Sequence, residues 1–284
     1  MEQDNFEILY HYTDFYGLNG ILGLNGEGIR LYNSRYMNDP YEMKFYLKLI
    51  KNNVLKKFNK NDSKYHFANT VLDDALVRFS DYDEYIFSLS SENKDVNMWV
   101  RYANDAKGVV IGFNKTALDK ISQKNKIFLK NVEYLEDSRT LEDTNFTYSV
   151  KVDEIVKIIK ESNDINEVIE KVFTTINSVI STATLFKQKF YSSEKETRLK
   201  THSNMFKTNL TTKFDIRKDC IKDYLVFDWK KECLEMGIGV DELIKEIIIG
   251  SNSLTTVNDL HKWLKYNELE SLTNCVRKSD YQYR

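Results

Sequence analysis

The run E-K-E-T-R at positions 194–198 places two carboxylates and a guanidinium close together in the chain. If this run is a strand, alternate side chains point to the same side, so Glu194, Glu196 and Arg198 share one face. Such a face is commonly an exposed ladder of ion pairs. The alternative is that it lines a cleft, in which one carboxylate stabilises positive charge on a substrate.

An early histidine is a second group that could take part in chemistry. His11 lies in the segment L-Y-H-Y-T at positions 9–13, where aromatic and aliphatic residues alternate and predict a strand over residues 8–12. A histidine on such a strand is either a hydrogen-bonded core residue or a ligand for a sugar hydroxyl. The residues alone leave both interpretations open.

Three aromatic side chains raise a similar choice between core and binding surface. Tyr36 and Tyr102 fit a core position or a surface on which a planar ligand stacks. Trp99 lies in the segment N-M-W-V-R-Y-A-N, which predicts a short helix, and there packing is favoured over chemistry.

Two helix starts are visible near these residues. Asp14 follows the first strand and fits the N-cap of a helix whose apolar run ends at glycines 26 and 28. Asp39 fits the N-cap of a second helix, with Pro40 at its first position and Glu42 completing a capping box. Because this cap explains Asn38 and Asp39 structurally, a binding role for them would be additional.

Several classes of site are not predicted. The histidines at positions 11, 66, 202 and 261 have no partners at ligand spacing, and the three cysteines lack C-x-x-C spacing, so we expect neither a metal nor a disulfide framework. The glycines match neither a Walker loop nor a dinucleotide fingerprint. A net charge of −2 gives no overall attraction to nucleic acid, although a local basic groove would be compatible with it.

Strand and helix patterns mix along the chain without regular alternation, which predicts an α+β fold with mixed or antiparallel sheets and flanking helices. We expect one domain over residues 1–284, with an inserted helical block at 152–190 whose longer helix runs on toward Phe190. The acidic start and the absence of a long apolar run predict a cytoplasmic protein without a membrane partner.

These motifs, in this order, resemble a bacterial family known as domain of unknown function 2971. The matching pieces extend from L-Y-H-Y-T through N-D-P-Y-E, F-S at 87–88, N-M-W-V-R-Y-A-N-D-A-K-G-V-V-I-G-F, V-E-Y and E-K-E-T-R to K-S-D-Y-Q-Y-R at the end. The chain departs from the family pattern at Arg101, Tyr191 and Gln282, where histidine, tryptophan and proline are usual. The first motif is also similar to the opening of ADP-ribosyltransferase-type enzymes, in which H-x-T on a strand precedes a helix with a g-I-L pattern.

That second resemblance implies a fold of the same type and a site for NAD. His11 would bind the ribose next to nicotinamide, Tyr36 or Tyr102 would stack on nicotinamide, and Arg35 would meet the pyrophosphate. Glu196 would stabilise the oxocarbenium-like state as nicotinamide leaves. The remaining residues expected at the site are Tyr12, Thr13, Asn38, Asp39, Ser88, Trp99, Arg101, Glu194 and Arg198.

Three hypotheses for function follow. The first is an enzyme that transfers ADP-ribose from NAD to a nucleic-acid or protein acceptor, or hydrolyses NAD, as a toxin or anti-phage effector. The second is a non-catalytic module that binds a nucleotide or a nucleic-acid end, with salt-dependent affinity in the latter case. The third is a structural or regulatory partner of defence proteins, which would carry an exposed apolar patch and no polar cleft.

Overall fold

A computed structural model describes residues 6–25, 27–37, 42–79, 83–136, 146–178, 180–202 and 210–280. The chain divides into two compact units. The first comprises Met1–Asn33, Tyr85–Asn131 and Ser193–Arg284, and the second comprises Ser34–Glu84 and Val132–Ser192.

The secondary structure follows the mixed pattern expected from the sequence. The strands are β1 Ile8–Thr13, β2 Ile29–Asn33, β3 Glu84–Ser90, β4 Val109–Asn114, β5 Phe128–Asn131, β6 Glu133–Leu135, β7 Phe186–Gln188, β8 Glu196–His202, β9 Thr211–Ile216, β10 Ile221–Phe227, β11 Ile244–Ile249 and β12 Val276–Lys278. The helices are α1 Phe15–Ile21, α2 Glu42–Lys56, α3 Ser63–Arg78, α4 Val96–Tyr102, α5 Lys115–Gln123, α6 Phe146–Glu161, α7 Ile165–Asn177, α8 Trp229–Met236, α9 Val240–Leu243 and α10 Val257–Tyr266.

The first unit is built on one large sheet in the order β12-β11-β4-β1-β3-β2-β10-β9, with β8 joined to β3 and β5 joined to β8. The registered neighbours in this sheet are antiparallel except β11 and β12, which are parallel. The expectation of an α+β protein with a mostly antiparallel sheet and flanking helices is therefore confirmed.

The alternation along β1 directs its side chains to two different layers. Leu9 is fully buried in the main apolar cluster together with residues of α1, α5 and α8. Tyr12 belongs to a smaller cluster on the other side, with Met98 and Trp99 of α4. The two faces of β1 are thus both covered, as the period of two in its sequence requires.

Helix α1 begins as predicted and ends earlier than predicted. The Asp14 carboxylate accepts a hydrogen bond from the Gly17 amide at 2.7 Å, which satisfies an amide of the first turn. The helix ends at Ile21 because Gly23, at φ +65°, adopts the left-handed conformation that terminates helices. Predicting the end at glycines 26 and 28 was therefore wrong.

The second unit is mainly helical. Helices α2, α3, α6 and α7 pack around their own apolar core, beside the small parallel pair β6 and β7. The helices predicted within 152–190 are α6 and α7 of this unit. Helix α2 begins at Glu42, and residues 38–41 of the predicted cap lie outside the described residues.

The longer helix predicted to run on toward Phe190 is wrong in its extent, because α7 ends at Asn177. A 3₁₀ helix over Ile180–Leu185 and strand β7 follow instead. At the end of α7 the Ser178 hydroxyl donates to the Thr175 carbonyl at 2.7 Å, a local bond that competes with continuation of the helix. Among the helices of the described ranges, none has the length and apolarity that crossing a bilayer demands.

Candidate functional site

The site is assembled around the last residues of β3 in the first unit. Strands β1 and β3 are in register at only one residue pair, Tyr10 with Ser90. One residue further along β1, the imidazole of His11 contacts the Ser88 carbonyl oxygen through Nδ1, at 2.8 Å. The side chain of His11 therefore occupies the position where the two strands separate.

The surroundings of His11 fix its protonation and its tautomer. Its ring stacks on Phe87, with centroids 4.1 Å apart and planes at 22°. Part of the side chain remains accessible, yet burial against the strands lowers the pKa of His11 to about 4, so the ring is neutral at neutral pH. Because a carbonyl oxygen only accepts, Nδ1 carries the proton and Nε2 presents a lone pair. No partner for Nε2 occurs among the described residues.

Two neighbours of His11 on β1 have structural contacts. The Tyr12 hydroxyl donates to the Glu92 carbonyl at 2.8 Å, and burial raises the pKa of Tyr12. A Cβ atom at Gly17 would fall 1.9 Å from Thr13 Oγ1, so the Thr13 hydroxyl lies against the first turn of α1.

Helix α4 supports the loop that follows β3. The Trp99 indole donates to the Asn93 carbonyl at 2.9 Å, and its ring meets Tyr12 edge-on at 5.5 Å. Trp99 is buried, which agrees with the packing role favoured from its sequence context. Tyr12 and Trp99 together hold residues 92 and 93 in place.

Glu194 is held by the last residue of β3, Ser90, two residues beyond Ser88. The Ser90 hydroxyl donates to the Glu194 carbonyl at 2.6 Å, and the Tyr102 hydroxyl donates to Glu194 Oε1 at 3.1 Å. Arg101 Nη1 lies 3.9 Å from the same carboxylate oxygen. The Glu194 side chain is 8% exposed and that of Arg101 is 52% exposed, so a buried acid is paired with a cation that reaches solvent.

Glu194 and Glu196 do not share the face of one strand, and that prediction was wrong. Glu194 ends a 3₁₀ helix over Lys189–Glu194, and β8 starts only at Glu196. Between them Lys195 has φ +41°, which is strained for a residue with a side chain and turns the chain. The Ser91 amide holds this turn by donating to the Lys195 carbonyl at 3.2 Å.

Glu196 and Arg198 do share a face, as predicted, and they bind each other. Arg198 Nε donates to Glu196 Oε1 at 2.8 Å, and Arg198 Nη2 donates to Glu196 Oε2 at 3.0 Å. Both side chains are buried, with Arg198 fully so. A two-pronged pair of this kind fixes the carboxylate and neutralises its charge.

The remaining predicted site residues are two residues of the second unit, two that are not described, and Ser88 on β3. Arg35 pairs with Asp83 at 2.7 Å, and Tyr36 ends a 3₁₀ helix over Ser34–Tyr36; both belong to the second unit. Asn38 and Asp39 lie outside the described residues. The Ser88 hydroxyl is buried on β3 and has no hydrogen-bond partner in the described part of the chain.

A polar cleft beside residues 93 and 94 was not anticipated from the sequence. It has a volume of about 190 Å³ and is lined by Asn93, Lys94, Ile248, Arg277, Ser279 and Asp280.

Burial and the nearby Glu246 carboxylate raise the pKa of Tyr10 to about 12. Arg277 pairs with Glu246 at 3.2 Å. These residues are 31 positions apart in the chain and meet because β12 lies beside β11.

The described residues contain no cluster of three or more histidine, cysteine or acidic side chains arranged to hold a metal ion. The groups that the described site does present are a neutral imidazole acceptor, a hydrogen-bonded carboxylate and partly exposed cations. The imidazole and the carboxylate are suited to binding hydroxyls, and the carboxylate is also suited to stabilising a positive charge.

Comparison with known proteins gives one match. The family model described as a protein of unknown function (DUF2971) matches residues 98–199, a stretch that runs from α4 to β8 and includes the E-K-E-T-R segment. This match supports the first family resemblance. No curated protein and no solved structure matches the chain. Similarity to the ADP-ribosyltransferases stays a prediction.

Proposed function

We propose that this chain is an NAD-consuming enzyme that transfers ADP-ribose to a nucleic-acid or protein acceptor or hydrolyses NAD. The observation that supports the proposal is that two residues of β3, Ser88 and Ser90, each contact one of the two groups assigned to the reaction. The Ser88 carbonyl orients the neutral imidazole of His11, and the Ser90 hydroxyl orients the backbone of Glu194. An enzyme that depletes or diverts NAD is suited to act as a toxin or anti-phage effector.

The chemistry assigned to these groups is simple. The bond between the nicotinamide nitrogen and the ribose carbon breaks, and its electron pair neutralises the pyridinium, so nicotinamide leaves uncharged. The ribose carbon becomes oxocarbenium-like and is captured by water or by an acceptor nucleophile, which then loses a proton. His11 Nε2 accepts a hydrogen bond from a ribose hydroxyl, and a carboxylate stabilises the transient positive charge.

The proposal assigns the charge-stabilising role to Glu194, whereas the family resemblance implies Glu196. The reason is electrostatic. Both oxygens of Glu196 accept from the buried guanidinium of Arg198, so its negative charge is already compensated. Glu194 accepts from a phenol and faces the partly exposed Arg101 at 3.9 Å, a cation that can move away as a ligand enters.

The test is release of nicotinamide from NAD by the purified protein, with and without DNA, RNA and cell extract. Glu194→Gln preserves size and hydrogen bonding but removes the charge, and we expect it to lower the rate about a hundredfold or more. Glu161→Gln, on the exposed surface of α6, is the matched control and should keep the full rate. The added nucleic acid or protein whose mass increases by that of ADP-ribose is the acceptor.

The Glu196→Gln variant separates the two carboxylates. If release persists in Glu194→Gln and disappears in Glu196→Gln while the protein stays folded, the assignment to Glu194 is wrong and the resemblance-based role of Glu196 is supported. If the unchanged, folded protein releases no nicotinamide under any condition, the enzymatic proposal fails.

A non-catalytic nucleotide-binding module is the second candidate. It is favoured by the pairing of Glu196 with Arg198 and the proximity of Arg101 to Glu194, since both carboxylates then have a cationic neighbour. Cations such as Lys94 and Arg277 around the polar cleft suit the phosphates of a nucleotide. This candidate predicts that NAD or another nucleotide raises the melting temperature of the protein without being consumed.

A further inference from the structure

Strand β9 forms one end of the large sheet, and among the described residues β10 is the strand with which it is in register. It carries an apolar surface that is open to solvent: Phe214 is 64% exposed and Ile216 is 78% exposed, next to the similarly exposed Ile221 of β10. An edge of this kind is a template for pairing with another strand, and proteins usually block such edges when they are not used.

The hydrogen-bond alternation of the hairpin determines which backbone groups of β9 point outward. The Arg217 amide donates to the Cys220 carbonyl at 2.9 Å, which makes this a hydrogen-bonded pair across the hairpin. In antiparallel ladders such pairs alternate with non-bonded ones, so residues 215 and 213 also bond to β10. The N–H and C=O groups of Thr212, Phe214 and Ile216 therefore point away from β10, toward the open edge.

We propose that β9 pairs with β9 of a second copy of this chain, antiparallel about a two-fold axis at Phe214. An added strand must use the outward groups of both copies, so the even-numbered residues of one copy must oppose those of the other. Three central registers satisfy this condition, with the axis at residue 213, 214 or 215. Registers centred further out pair fewer residues of the strand.

Charge selects among these registers. With the axis at 213, Lys213 opposes itself, and with the axis at 215, Asp215 opposes itself; like charges directly opposite destabilise a strand pair. With the axis at Phe214, Lys213 of each copy opposes Asp215 of the other, so opposite charges face each other at two places. Within each chain these side chains also pair with Glu27 at 3.6 Å and with Arg217 at 3.0 Å, respectively. In the same register Phe214 meets its own copy, and Ile216 meets Thr212 on the same face as the aromatic pair.

The strand sequence is thus complementary to itself in one register on both faces. The apolar side chains fall on one face of the pair and the opposite charges on the other, and the outward groups supply about six backbone hydrogen bonds. A single strand pair buries little area compared with a permanent interface, so the dimer is concentration-dependent. The inference does not depend on the proposed enzymatic activity.

Sedimentation equilibrium over a range of concentrations tests the pairing. Phe214→Pro removes an outward N–H without removing a bond to β10, and it should abolish the dimer. Lys213→Glu and Asp215→Lys each turn two attractive pairs into repulsive ones, and each should raise the dimer dissociation constant about tenfold or more. Lys218→Glu makes the same charge change in the adjacent turn, outside the paired residues, and should leave the dimer intact.

A mixture of two variants gives the sharpest result. The Lys213→Glu strand carries acids at positions 213 and 215, and the Asp215→Lys strand carries lysines at both. An equal mixture should therefore form a heterodimer, although each variant alone is monomeric. Recovery in the mixture also shows that both variants are folded. A monomer at all concentrations, or a dimer that survives Phe214→Pro and both charge changes, would overturn the proposal.

Discussion

Acidification from pH 7 to pH 5 is expected to destabilise the first unit through His11, and His11→Asn should remove that part of the loss. Burial lowers the pKa of His11 from its ordinary value of 6.5 to about 4. In this window the unfolded chain binds a proton at His11 and the native chain does not, so falling pH favours unfolding. The contribution of the neutral ring is complete above pH 6.5 and is lost as the pH falls toward 4.

The magnitude follows from the two pKa values. At pH 5 the unfolded imidazole is almost fully protonated, and the native one is about one unit above its own pKa, which gives a loss of about 2 kcal/mol relative to pH 7. The loss levels off at about 3 kcal/mol below pH 4, where the native imidazole is protonated as well. A change of this size is easily measured.

The variant is chosen to keep the local hydrogen bond. The asparagine amide can still donate to the Ser88 carbonyl, which accepts from His11 Nδ1 in the native protein. It lacks the ring that stacks on Phe87, so some stability is lost at every pH, and the informative quantity is the difference between pH 7 and pH 5. His66→Asn, at an exposed position of α3, controls for the loss of a histidine.

Urea unfolding followed by tryptophan fluorescence reports on the correct part of the molecule. The three tryptophans, at positions 99, 229 and 263, all belong to the first unit. The unchanged protein and His66→Asn should lose about 2 kcal/mol more than His11→Asn between the two pH values. Equal losses in all three proteins would refute the argument that burial holds His11 neutral.

Three further substitutions test individual contacts. Arg198→Met should cost about 3–5 kcal/mol in urea unfolding because it removes the guanidinium that donates to both oxygens of the buried Glu196 carboxylate, and adding Glu196→Gln should recover much of that loss. Tyr102→Phe should cost about 1–2 kcal/mol through the lost bond to Glu194 and should also slow any nicotinamide release. Asp14→Ala should cost about 1 kcal/mol by uncapping α1, and an unchanged unfolding midpoint would contradict this.

Local sequence signals predicted the local structure well. The alternation at residues 8–12 gave β1, and Asp14 gave the start of α1, because each depends on groups only a few residues apart. The errors occurred where a local rule had a competitor. A glycine earlier than expected ended α1, and hydroxyl side chains ended α7.

The arrangement of the site could not be derived in the same way. The contact of His11 with the Ser88 carbonyl spans 77 positions, and that of Tyr102 with Glu194 spans 92. Neither has a spacing signal, because both are created by the order of strands in the sheet. The residue types indicated which side chains could take part in chemistry, and the order of strands in the sheet determined which of them come into contact.

The E-K-E segment illustrates how one backbone angle changes the chemistry expected from a sequence. A regular strand would have given two equivalent carboxylates beside Arg198. The positive φ of Lys195 separates them instead. Glu196 is held by a guanidinium that is fully buried, whereas Glu194 faces one that is half exposed and can be displaced at little cost. Since only a carboxylate whose partner can move is able to respond to a positively charged ligand, the turn at Lys195 is the reason to test Glu194 before Glu196.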